Sequence, residues 1–213
     1  MSFDFNAHLG TVTRSVSSLE RNGEPARKVS LERIYNTSAE DLWDACTRPE
    51  RLRRWFLPVE GELKPGGHYQ LEGNASGTIA ECEPPRFLAV TWEFGGGMSW
   101  VELHIRAEEN DRSKLILAHI CPLDEHWQTY GPGAAGVGWD LGLAGLAAYL
   151  GPDSFERFDE EAFFASPEGQ SFMTGSSADW GRAAIAAGDD PTQAETAASR
   201  TAAFYTGTEA EED

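Results

Sequence analysis

The chain has 213 residues, 40% of them hydrophobic, which suffices for one domain of ordinary size with its own core plus an extension. Its 35 acidic side chains outnumber 17 basic ones and give a formal net charge of −18. Nucleic acid is thereby excluded as a partner, because phosphate binding needs a basic surface, and adsorption to anionic membranes is disfavoured. Three cysteines (Cys46, Cys82 and Cys121) form no CxxC pair. They predict neither a disulfide framework nor a zinc ribbon, but reduced, mostly buried thiols in a cytoplasmic protein. Residues 1–10 carry no apolar run, so no signal peptide is expected, and the longest apolar stretch, 137–150, is too short to span a bilayer.

In chain order, residues 11–19 are rich in Thr, Val and Ser and read as a strand. Asn22-Gly23 supplies a hairpin turn, and 28–35 returns as a second strand. Ser38 is a good helix N-cap, with Glu40 and Asp41 in the first turn and Leu42, Trp43 and Cys46 at helical spacing. Pro49 starts a second short helix whose apolar face is Leu52, Trp55 and Phe56.

Six strands are then predicted, over 59–63, 67–72, 77–83, 87–94, 99–108 and 114–121, separated by short Gly, Pro, Asn and Asp turns. Period-two alternation is clear. Leu88, Val90, Trp92 and Phe94 share one face, Val101, Leu103 and Ile105 another, and Leu115, Leu117 and His119 a third. A polar loop is expected over 122–135, then an apolar helix over 137–150 with Trp139, Leu143, Leu146 and Leu150 in one stripe. Gly136, Gly138, Gly142 and Gly145 weaken that helix, each interior one by about 1 kcal/mol against alanine, and predict close packing on the sheet. Residues 154–164 are acidic and aromatic, and 167–187 and 191–205 predict two further helices. Glu209, Glu211, Glu212 and Asp213 close the chain as a frayed acidic tail.

Hairpin, two short helices, meander and long helix is the order of the helix-grip fold. The segments Leu31-Glu32-Arg33, Ala39-Glu40-Asp41-Leu42-Trp43-Asp44-Ala45, Thr47-Arg48-Pro49-Glu50 and Trp55 resemble the opening signature of the START-like SRPBCC superfamily. The similarity is to its AHSA1-like branch, named after the activator of Hsp90 ATPase homologue. Gly66-Gly67, Gly77-Thr78-Ile79, Pro84-Pro85, Leu88, Thr91-Trp92 and Gly138-Trp139 through Tyr149-Leu150 continue it. The resemblance implies an α+β, helix-grip (START/Bet v1-like) domain over 9–150, a curved antiparallel sheet packed on a long C-terminal helix. A helical extension would follow over 151–207 and an acidic disordered tail over 208–213.

It also implies a mainly apolar cavity between sheet and helix. Trp139, Leu143 and Leu146 would form the helix wall, and Trp92, Phe94, Leu103, Ile105, Leu117 and His119 the sheet wall. Trp55 and Phe56 would stand near an entrance. Such a lining suits a small hydrophobic or aromatic ligand with one or two polar groups.

His119 is the titratable group of most interest: it shares a face with two leucines, where an imidazole near neutrality orients a carbonyl or shuttles a proton. The plainer alternative is a core histidine bonded to a backbone carbonyl or to Trp139. Arg33 shares parity with Val29, Leu31 and Tyr35, and serves either the cavity or a salt bridge at the sheet edge. His68, His104 and His126 show no metal spacing, Cys121 and His119 merely share a face, and no GxSxG or dinucleotide motif occurs. No catalytic set, metal or cofactor is therefore assigned. Binding of a small hydrophobic ligand is the leading expectation. The rivals are an aromatase/cyclase-like enzyme using His119 and Arg33 on a polyketide-like substrate, and an interaction module whose acidic surface or extension binds a partner or makes a homodimer.

Overall fold

The computed structural model describes residues 4–151 and 160–208. Residues 154–159 of the acidic, aromatic stretch and the tail from Glu209 lie outside the described residues. The elements are α1 (Phe5–Leu9), β1 (Thr13–Arg21), β2 (Glu24–Tyr35), α2 (Ala39–Thr47), α3 (Pro49–Leu52), β3 (Val59–Gly61), β4 (His68–Leu71), β5 (Ser76–Glu83), β6 (Phe87–Phe94), β7 (Gly97–Glu108), β8 (Arg112–Pro122), α4 (Glu125–Tyr130), α5 (Gly133–Tyr149), α6 (Glu160–Ala165), α7 (Pro167–Ala186) and α8 (Pro191–Thr206). The strands make one curved antiparallel sheet in the order β1-β2-β8-β7-β6-β5-β4-β3, so the fold is α+β of the helix-grip kind, with C-terminal helices. Two compact units divide the chain. One comprises 1–31, 122–144 and 158–213, the other 32–121 and 145–157, and the boundaries fall within β2 and α5.

The first unit is built around α7. Ser166 caps it by accepting from the Gly169 amide, and Pro167 occupies the first turn, where a missing N–H costs nothing. The helix packs on α8, α1 and β1. Trp180 and Phe172 are its fully buried anchors, and Phe172 joins Phe5 and Phe163 in an aromatic cluster with centroids 4.4 to 6.2 Å apart. Four polar groups of this core converge on Asp140 of α5 through three side chains. Its carboxylate accepts from Arg14 Nε at 2.9 Å and Nη2 at 2.8 Å, from Ser176 Oγ at 2.6 Å and from Trp180 Nε1 at 3.0 Å. One buried acid thus ties β1, α5 and α7 together.

Sequence expectations are corrected here in three places. Helix α1 was not foreseen. Residues 122–135 are not simply a loop: Asp124 caps α4 by accepting from the Trp127 amide, a cap hidden among Pro and Gly signals. The glycines of α5 do not answer to the sheet alone. A Cβ at Gly136 would collide with the Trp180 indole, and one at Gly133 would come within 2.9 Å of Thr201, so these glycines admit α7 and α8.

In the second unit, Ser38 caps α2 by accepting from the Asp41 amide as expected. The buried Ser113 Oγ of β8 donates to the Thr37 carbonyl at 2.8 Å and pins the start of α2. Arg51 donates to Asp41 at 2.7 Å and to the Tyr149 hydroxyl at 3.1 Å, which anchors the end of α5 to α2 and α3. The Arg51 hydrogen bond holds the Asp41 carboxyl below the usual range. Tyr69, Leu71 and Ile79 form a buried cluster, and the Tyr69 hydroxyl is satisfied by the Thr91 carbonyl at 2.7 Å.

Candidate functional site

Register decides which side chains of the second unit share a face. In antiparallel pairs, residues directly opposite point the same way. Leu88 faces Leu103, Val90 faces Val101 and Trp92 faces Ser99. In the next pair Val101 faces His119, Leu103 faces Leu117 and Ile105 faces Leu115. One continuous apolar face therefore crosses β6, β7 and β8, and it continues through the Ile79–Val90 pair to β5. The charged neighbours lie on the other face: Glu102 pairs with Ala89 and Ala118, and Arg106 with Lys114.

This face is unevenly filled. Ile105 and Leu117 are buried, whereas Leu103 and Trp92 are half-buried. Around the Tyr69–Leu71–Ile79 cluster sit Leu52, Phe56, Leu57, Val59, Cys82, Leu88, Val90 and Trp92, all hydrophobic and all still partly accessible. Phe94, expected on the same wall, stands 60% exposed at the Gly95-Gly96 end of the β6–β7 hairpin. Trp55 is held by α2, its Nε1 donating to the Ala45 carbonyl at 3.0 Å, and its ring lies 5.5 Å from Phe56. Its own carbonyl would meet a Cβ at Gly145 at 2.8 Å, which accounts for that glycine. Leu146 is buried in this unit, while Trp139 and Leu143 belong to the first.

The polar feature of the face is a pair. Ser99 Oγ lies 2.7 Å from His119 Nε2 and 3.2 Å from the Trp92 carbonyl, and the Trp92 and His119 rings meet edge-on with centroids 6.0 Å apart. His119 is 7% exposed, and burial pushes its pKa down to about 4, so it is neutral at physiological pH. Ser99 was missed in the sequence because it follows a glycine run. The signal was available: a two-residue Gly95-Gly96 turn fixes Trp92 opposite Ser99.

Arg33 lies with its guanidinium 5.2 Å from the Tyr35 ring centroid, and burial lowers its pKa. Cys46 lies on the buried side of α2, and burial pushes its thiol up to about 12, which keeps it from the nucleophilic thiolate form near neutral pH. Among the described residues no group of three or more His, Cys, Asp or Glu is placed to hold a metal ion, and no helix is long and apolar enough to cross a membrane.

Comparison with known proteins agrees with this fold. Residues 36–151 match the model of the family described as Activator of Hsp90 ATPase homolog 1-like protein. The crystal structure of CalU16 from Micromonospora echinospora is 30% identical, with a TM-score of 0.68, covering 82% of this chain and 98% of that one. The solution structure of the same protein gives 31%, 0.67, 83% and 96%. DynU16, a protein of the dynemicin biosynthetic locus, shares the fold at 19% identity and a TM-score of 0.53, over 62% of this chain and 50% of that one. No curated protein matches. With more than half of its length matched by the family model, this chain belongs to the Activator of Hsp90 ATPase homolog 1-like family.

Proposed function

We propose that the protein binds a small hydrophobic or aromatic molecule on the apolar sheet face of its second unit. The observation that carries this reading is the partial accessibility of eight hydrophobic side chains around one buried cluster, Trp92 among them and the Ser99–His119 pair beside it. A face meant only as core would have these groups closed off, since interiors are packed to crystal-like density. Each such side chain fully removed from water contributes about 1.5–3 kcal/mol, so a ligand covering even a few of them gains substantial affinity. Wider family membership supports the reading without fixing the ligand, because one fold hosts many functions.

A cyclase-type reaction is the weaker alternative. With its pKa near 4, His119 is a poor base at neutral pH, and Arg33 is stacked on Tyr35. The test is titration with Nile red, a neutral dye whose emission rises in apolar surroundings, together with thermal denaturation. One saturable equivalent of dye and a raised midpoint are expected. Absence of both saturable binding and a thermal shift would refute the proposal.

A further inference from the structure

The hydrogen-bond inventory of Ser99 defines what the ligand must offer. A serine hydroxyl has one proton to give and two lone pairs to receive. Its two neighbours here are His119 Nε2 at 2.7 Å and the Trp92 carbonyl at 3.2 Å. A carbonyl only accepts. If the serine proton goes to Trp92, Nε2–H must donate to Oγ, and one lone pair is left. If the proton goes to Nε2, both lone pairs are left. While both contacts are kept, Oγ retains room to accept a hydrogen bond in either histidine tautomer, and its one proton is already given to Trp92 or to Nε2.

The surroundings set the charge of the ligand. Across β6–β8 the face around Ser99 is made of Trp92, Val101, Leu103, Leu117 and the neutral His119, while Glu93, Glu102, Arg106 and Lys114 lie on the opposite face by register. On β6–β8 this face presents no cation beside Ser99, and an anion taken from water unpaired costs several kcal/mol. Trp92 and Ser99 are both only partly buried.

Resting on the ligand-binding reading above, we propose that Ser99 Oγ is the acceptor for a hydroxyl of a neutral aromatic ligand. The site thus selects aryl alcohols over their ethers and over carboxylates. Trp92 supplies the aromatic surface beside the acceptor, and His119 positions Oγ.

Isothermal titration with three naphthalenes tests this. 2-Naphthol presents a donor, 2-methoxynaphthalene has the same rings without one, and 2-naphthoate is an anion. We expect 2-naphthol to bind about five- to tenfold more tightly than its ether, the return on one net hydrogen bond, although the ether is the more hydrophobic. The naphthoate should bind more weakly than either. Ser99→Ala should abolish the preference, bringing the ratio of the two affinities to about one, and Ser99→Thr, which keeps the hydroxyl, should retain it.

Equal binding of 2-naphthol and its ether to the wild type would overturn the assignment. So would a preference that persists in Ser99→Ala. If the alanine variant does not fold, the wild-type ratio and the threonine variant decide. Failure of both neutral compounds to bind would instead overturn the ligand-binding reading itself, which separates the two failures.

Discussion

Replacing Asp140 by asparagine is the sharpest test of how the first unit is held together. The carboxylate is fully buried, and the Arg14 side chain that grips it through two nitrogens is 6% exposed. Burial raises the Asp140 pKa, while the Arg14 guanidinium and the Ser176 and Trp180 donors oppose that. Asparagine keeps the shape but removes the charge, and its amide sets hydrogens against those of Arg14. Removing one member of a buried ion pair costs about 3–5 kcal/mol, because the other charge is left behind. Arg14 retains Asp179 at 3.1 Å, which places the loss near the lower end, about 3 kcal/mol. For a chain of this size that corresponds to a fall in Tm of roughly 6–12 °C. Circular dichroism melts of wild type, Asp140→Asn and Asp179→Asn measure it. Asp179 is more exposed than Asp140, so its variant should lose no more than about 1 kcal/mol. A loss below about 1 kcal/mol for Asp140→Asn would refute the claim that this acid organises β1, α5 and α7.

Three further outcomes are expected. Because the folded-state pKa of His119 is depressed from 6.5 to about 4, its contribution to stability is complete above pH 6.5. It is lost as the pH falls toward 4, to the extent of roughly 3 kcal/mol. Urea unfolding of wild type and His119→Gln across that window should show a steeper decline in the wild type, and parallel curves would contradict it. Gly136→Ala should destabilise the fold by about 1–3 kcal/mol through overpacking against Trp180, more than the helix-propensity gain, as read by urea unfolding; a stabilised variant would show that the contact yields. Cys46, with a buried thiol near pKa 12, should resist iodoacetamide in the native protein at pH 8 and react on unfolding, as read by peptide mass spectrometry.

The sheet face was readable in the sequence because period-two alternation is a local signal: Leu115, Leu117 and His119 fall together whatever lies beyond the strand. The cap at Ser38 and the proline starts of α7 and α8 are local in the same way. The Asp140 constellation was not legible, since Arg14 lies 126 positions away and Trp180 lies 40 away, and nothing local marks a buried acid in an apolar helix. The glycines of α5 announced close packing but not against what. Trp180, Thr201 and the Trp55 carbonyl became visible as neighbours only in three dimensions. Ser99 lies between these extremes, inferable from a hairpin turn yet chemically unremarked until His119 was found beside it.

The binding claim is met most directly by backbone amide NMR of the whole protein during titration with 2-naphthol. Shift changes that saturate and concentrate on Trp92, Ser99 to Leu103 and Leu117 to His119 are the predicted result. Saturating ligand that leaves those amides unmoved, or moves only amides of α7 and α8, would contradict it.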